Sequence, residues 1–218
     1  MSNRIAWLVD KPEADFGRWF LFAHGAGAPM DSDFMQAFSS MLAAQGVGVV
    51  RFEFPYMAER RRTGGRRPPN KMDVLLASFQ EQIDRAVSEL KPRALFIGGK
   101  SLGGRVASML AEENFVGGKV TGAVCLGYPF HPQGKPEKLR TEHLADLTCP
   151  TLVVQGTRDA LGNREEVEGF PLSAAIQCHW LEDGDHDFKP RRASGFTQLQ
   201  HWQSAVEQAV AFMSARVS

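Results

Sequence analysis

Ser101, Asp159 and His186 occur in that order along a chain of 218 residues, and each follows soon after a short apolar run. Side chains of these three types can together perform nucleophilic acyl transfer. A serine hydroxyl is a weak nucleophile at neutral pH, so a histidine must take its proton, and a carboxylate must fix the histidine tautomer and stabilise the imidazolium. Ser101 lies in Gly99-Lys100-Ser101-Leu102-Gly103. This fits G-x-S-x-G, in which a strained turn between a strand and a helix holds the serine with its hydroxyl exposed. Glycine suits positions 99 and 103 because a side chain there would collide where strand and helix cross closely. The same stretch ends like a phosphate-binding G-x-x-x-x-G-K-[ST] loop, but the first glycine of that pattern would fall at Ala94, so a nucleotide site lacks its loop. On this motif alone, the alternative is a glycine-rich turn with an incidental serine.

Asp159 closes Gly156-Thr157-Arg158-Asp159 and His186 sits in Asp183-Gly184-Asp185-His186-Asp187-Phe188. Asp183, Asp185 and Asp187 are rival acids. Adjacency in sequence does not bring a carboxylate to the ring nitrogen facing away from the serine, whereas the loop after the preceding strand does, which favours Asp159. The developing oxyanion needs two donors. The residue after the nucleophile, Leu102, supplies one N–H, and the loop His24-Gly25-Ala26-Gly27 supplies the other, with Ala26 expected and Gly27 as the fallback. Small residues at Gly25 and Gly27 let the backbone approach a substrate. His24 is expected to fix that loop structurally, because the triad already has its base.

The elements that must position these groups follow from periodicity. Strands are expected at Ile5–Val9, Trp19–Ala23, Val47–Phe54, Ala94–Ile97, Val120–Leu126, Thr151–Gln155 and Ile176–Leu181. Helices are expected from about Ser32 to Gly46, over a stripe Leu75, Leu76, Phe79, Ile83, Val87 and Leu90, after Ser101 with Val106, Met109 and Leu110 on one face, and over Phe196–Met213. The last carries Leu199, Trp202, Val206 and Val210 as its stripe. Five of the strands are unalternating apolar runs, as in a sheet buried on both faces. This predicts a three-layer α/β fold around a mostly parallel sheet of about seven strands, in one domain spanning residues 1–218. Ligands bind beyond the carboxyl ends of such strands, which is where Ser101, Asp159 and His186 fall.

Composition narrows the partners. The chain is 43% apolar and 23% charged, with zero net charge and a pI near 7.0. No global attraction to nucleic acid or an anionic membrane is expected. The first apolar run is too short for an export signal, and no stretch approaches membrane-spanning length. Cys125, Cys149 and Cys178 have irregular spacing and are expected to be reduced thiols in a cytoplasmic protein. Cys178-His179 lacks a second ligand pair, so no metal is expected, and the triad chemistry calls for no cofactor. His131, Glu142 and His143 lie in a polar connection where structural or solvated roles are expected. His179 and His201 read as packing or surface residues.

Pro55 to Asn70 reads as a loop rich in arginine, glycine and proline, with Arg60, Arg61, Arg62, Arg66 and Arg67 and Glu59 as the only acid. One reading is a solvated basic connection. The other is functional: the loop starts at the sheet edge that carries Ser101, Tyr56 and Met57 would line an acyl pocket, and Arg60 and its neighbours would favour an anionic small-molecule ester.

The elbow, the His-Gly-x-Gly loop and the ordered aspartate and histidine resemble the α/β-hydrolase superfamily over nearly the whole chain. Arg51-Phe52-Glu53-Phe54-Pro55-Tyr56-Met57, the Arg-Arg-Pro-Pro from Arg66, and the segments Gly127–Pro132 and Lys135–Leu144 carry a narrower resemblance. They are similar to the small, lidless branch of dienelactone-hydrolase-like bacterial proteins, a testis-expressed protein and the third subunit of the non-specific-lethal chromatin complex. The resemblance implies a carboxylesterase-like serine hydrolase without a large lid. It also implies an alternative, a non-catalytic scaffold that keeps the fold.

Overall fold

A computed structural model describes residues 5–14 and 16–217. Its centre is a seven-stranded sheet in the order β1-β3-β2-β4-β5-β6-β7. The strands are β1 (Trp7–Asp10), β2 (Arg18–Ala23), β3 (Gly48–Phe52), β4 (Ala94–Lys100), β5 (Gly122–Leu126), β6 (Thr151–Gly156) and β7 (Ile176–Leu181). Only β1 runs antiparallel, pairing with β3, and the remaining neighbours are parallel. Every residue of β2 to β6 is buried, which accounts for their unalternating apolar sequences. β7 is an edge strand and only half-buried along most of its length.

Among the described residues six helices flank the sheet: α1 (Asp33–Ala44), α2 (Pro55–Thr63), α3 (Met72–Leu90), α4 (Leu102–Val116), α5 (Arg164–Glu168) and α6 (Gln198–Ser214). On one face Leu75, Phe79 and Ile83 of α3 join Val106 and Leu110 of α4 against Leu21, Val50 and Ile97. On the other, Met35, Phe38 and Leu42 of α1 join Val206 and Phe212 of α6 against Phe20, Phe96 and Val154. The connection after β2 therefore leads to one face and the connection after β4 to the other. Because β2 and β4 are neighbours, their carboxyl ends form the switch point at which such sheets open a crevice. The β5–β6 connection holds a short 3-10 turn, Glu142–Leu144, and no large lid domain. Among the described residues no helix is long and apolar enough to cross a membrane.

The segment expected as a loop from Pro55 begins instead with the helix α2. Pro55 supplies a helix-compatible φ at the first position, and Gly64 ends the helix in the left-handed region at φ +71°. Apolar periodicity misses it because only Tyr56 and Met57 are buried and the rest is charged. An i,i+3 pair, Arg62 Nη2 to Glu59 Oε1 at 2.6 Å, runs along its exposed side. Three expected stripes are also narrower than their periodicity implies. Leu199 is 57% exposed, and α6 buries His201, Ala205 and Val206 instead. Val87 and Met109 are likewise at the exposed margin of their helices.

Candidate active site

Ser101 joins β4 to α4 with φ +50° and ψ −111°. A non-glycine residue in so sparsely populated a region costs on the order of 1–3 kcal/mol and persists only where the surroundings fix it. Here the Ser101 N–H donates to Leu126 O of β5 at 2.9 Å, and its carbonyl accepts the Arg105 N–H at 3.0 Å as α4 begins. The flanking glycines are required by space. A Cβ at Gly99 would lie 2.4 Å from Ala23 O and one at Gly103 2.5 Å from the same oxygen, so any side chain would drive α4 off β2.

The structure brings Ser101, His186 and Asp159 together from three strand ends. His186 Nε2 lies 2.9 Å from Ser101 Oγ, and His186 Nδ1 lies 2.8 Å from Asp159 Oδ2. A carboxylate only accepts, so Nδ1 carries the proton and Nε2 is left to accept from the serine hydroxyl. Asp159 is fully buried. Its Oδ1 accepts the Leu161 N–H at 2.8 Å and its Oδ2 accepts Gln155 Nε2 at 2.9 Å. Gln155 also binds Tyr128 N–H at 2.7 Å and the carbonyls of Tyr128 and Gly162 at 3.1 and 3.0 Å. The sequence reading missed Gln155; the one available signal was a polar residue near the end of a mostly apolar strand, four positions before Asp159.

The rival acids are occupied elsewhere. Asp183 pairs with Arg191 and with Arg158 Nε at 2.9 Å, and Arg191 holds its carboxyl down at about 2. Asp185 Oδ1 accepts the N–H groups of Asp187 and Lys189, both at 2.9 Å, and so shapes the histidine loop from within. Asp187 lies 3.4 Å from Lys100 Nζ.

The loop after β2 packs on the elbow: a Cβ at Gly25 would meet Lys100 Cγ at 3.6 Å and Ser101 Cβ at 3.8 Å. His24 is fully buried, and burial lowers its pKa below the usual histidine value. Its Nε2 accepts the Phe54 N–H at 3.1 Å, so Nδ1 is the donor to Gly25 O at 2.6 Å. Tyr56 was expected to line an acyl pocket. It is instead buried, with its hydroxyl donating to Ala26 O at 3.1 Å, and it braces the loop from behind. Arg51 adds a bond to Met30 O at 2.9 Å. The segment Arg51 to Tyr56 is thus a bracket for the loop that carries Gly25, Ala26 and Gly27.

Gly25, Ala26 and Gly27 line a pocket of about 360 Å³ with Phe34, Lys100, Ser101 and His186. Among the described residues no backbone acceptor takes the N–H of Ala26 or Leu102. Leu102 opens α4, where N–H groups have no intrahelical acceptor. Beyond Pro29 a second pocket, of about 240 Å³, is lined by Met57, Arg60, Arg61 and Arg66. Of the arginines here, Arg61 is spent on Glu53 at 2.7 Å and Asp31 at 2.8 Å, while Arg62 and Arg67 both bind Glu59. Arg60 and Arg66 form no ion pair among the described residues.

The other polar candidates stay outside this constellation. His143 Nε2 lies 2.8 Å from Ser108 Oγ, but Ser108 is buried in α4 and its hydroxyl is also 2.8 Å from Arg105 O. His131 is buried and lies 3.4 Å from Glu166. Cys125 and Cys149 are buried and burial pushes both thiols up to about 12. Among the described residues no three side chains of metal-binding type converge.

A family model described as an alpha/beta hydrolase domain matches residues 17–214. Among solved structures, dienelactone hydrolase from Anabaena variabilis is 19% identical with a TM-score of 0.72, over 100% of this chain and 94% of that one. Est1E from Butyrivibrio proteoclasticus, with ferulic acid bound, is 13% identical with a TM-score of 0.70, over 98% and 95%. A serine hydrolase without lid from Xanthomonas campestris is 16% identical with a TM-score of 0.65, over 97% and 95%. At these identities the likeness is one of fold.

Proposed function

We propose, from the premise that this chain belongs to the alpha/beta hydrolase domain family, that it is a serine hydrolase cleaving carboxylic esters or related acyl bonds. The observation that carries this reading is the unbroken relay from Ser101 Oγ through His186 to a buried Asp159, with contacts of 2.9 and 2.8 Å. His186 Nε2 takes the hydroxyl proton as Oγ attacks the acyl carbon. The carbonyl oxygen becomes an oxyanion facing the N–H groups of Leu102 and Ala26. His186 then returns the proton to the leaving alcohol, an acyl-serine forms, and water repeats the sequence to release the acid. Asp159 keeps the imidazole in its Nδ1–H tautomer and offsets its charge in the transition state.

The reading places one hydrolase domain over residues 1–218, within the lidless dienelactone-hydrolase-like branch whose narrower likeness includes the testis-expressed and chromatin-complex proteins. Arg60 and Arg66, free of ion pairs among the described residues and lining a second pocket with Pro29 and Met57, support an anionic ester as substrate. Zero net charge gives no basis for a nucleic-acid or membrane partner, and three free thiols accord with a cytoplasmic setting. The test is turnover of a panel of p-nitrophenyl esters of increasing acyl length by the wild type and by Ser101→Ala. Hydrolysis lost in the variant is expected; equal hydrolysis by both, or by neither, points to the scaffold alternative.

A further inference from the structure

Lys100 is the one lysine that is buried among the described residues, with 7% of its surface exposed. Burying an ammonium is costly unless its donors are used, and the steps above assign it nothing. Its position is specific. It is the last residue of β4, covalently next to Ser101, and its Nζ donates to the main-chain carbonyl of His186 at 2.6 Å. Among the described residues no other donor reaches that carbonyl. Asp187 Oδ1 lies 3.4 Å from the same Nζ, and the ammonium lies 5.6 and 5.7 Å from the ring centres of Phe34 and Phe188. Gly127, at the end of β5, leaves the room: a Cβ there would come within 3.0 Å of both Nζ and His186 O.

We propose that Lys100 is a positioning residue that ties the peptide of His186 to the strand carrying Ser101, holding the imidazole at proton-transfer distance from the hydroxyl. This rests on the serine-hydrolase reading. The loop that bears His186 follows an edge strand and must place Nε2 to within a fraction of an ångström. Asp159 fixes the ring from the Nδ1 side, while the tether fixes the main chain from the serine side. The stem of Lys100 passes under Gly25, so the same side chain links the elbow, the loop after β2 and the histidine loop.

Lys100→Met keeps an unbranched stem and removes the donors. With a p-nitrophenyl ester, kcat and the rate constant of phosphonylation by a fluorophosphonate should both fall about 10- to 100-fold. KM should stay within about threefold, and the final labelled fraction should equal that of the wild type, because the site is intact but misregistered. Asp187→Asn, which removes only an exposed partner, should cost less. Wild-type rates in Lys100→Met, or a loss explained wholly by a smaller labelled fraction, would overturn the tether. If Lys100→Met does not fold, Lys100→Leu, which also lacks a donor, replaces it and must show the same loss in kcat with KM unchanged. A wild type that neither labels nor turns over ester sinks the hydrolase reading, and amide exchange then tests the tether independently. Exchange across residues 183–189 should rise about tenfold in the variant with β4 unchanged, and equal exchange rejects the idea.

Discussion

Gln155 Nε2 lies 2.9 Å from Asp159 Oδ2, the oxygen that also faces His186 Nδ1. The acid is therefore oriented by a buried amide that simultaneously holds Tyr128 and Gly162. Gln155→Leu, similar in volume, would leave several buried polar groups without partners. It should lower unfolding stability by about 3 kcal/mol in urea denaturation and reduce kcat more than it raises KM. An unchanged kcat in a folded variant would mean that Asp159 needs no second support.

Asp159→Asn should lower kcat by roughly 10³- to 10⁴-fold, since an amide no longer selects the Nδ1–H tautomer of His186. Asp185→Asn should retain most activity, because its Oδ1 can still accept from Asp187 and Lys189. Steady-state kinetics on the two variants decide the assignment, and the reverse ranking would move the acid to the histidine loop.

Asp183 gives the pH-linked prediction. Arg191 holds its carboxyl at about 2, below the ordinary aspartate value of 3.8. A depressed folded-state pKa contributes stability above the unfolded value and loses it as pH falls through the folded one. Thermal midpoints of the wild type and Asp183→Asn should therefore differ at neutral pH and converge as pH drops from about 4 to about 2. A gap that stays constant across that window would show that the Arg191 pair is not its source.

Most of the fold was legible because its signals are local. Five strands buried on both faces leave continuous apolar runs, and glycines at 99 and 103 mark a crossing where Ala23 O leaves no space for a Cβ. Two groups of features were not legible. α2 has only Tyr56 and Met57 buried, so charge masked a helix that Pro55 and Gly64 do delimit. The supports of the site are contacts between distant segments: Lys100 with His186, Tyr56 with Ala26, and Gln155 with Tyr128. No spacing rule encodes those. Residue type alone also left open which arginines are available, and only the pairing of Arg61, Arg62 and Arg67 reduces five to two.

For that reason the charge prediction concerns Arg60 and Arg66. An ester bearing a carboxylate should show a higher kcat/KM than its neutral analogue, with an advantage that shrinks as salt is added, since the Debye length is about 8 Å at physiological strength. Arg60→Ala with Arg66→Ala should erase most of the difference, whereas Arg62→Ala, whose guanidinium is held by Glu59, should not. Equal salt responses of the two esters would leave these arginines as surface residues.

The central claim is that Ser101 is the nucleophile. Its most direct test is intact-mass and peptide mapping after treatment with a fluorophosphonate, on the wild type and Ser101→Ala side by side. The account predicts one phosphonyl adduct per chain, located on Ser101 and absent from the variant. An adduct on another residue, or equal labelling of both proteins, would contradict it.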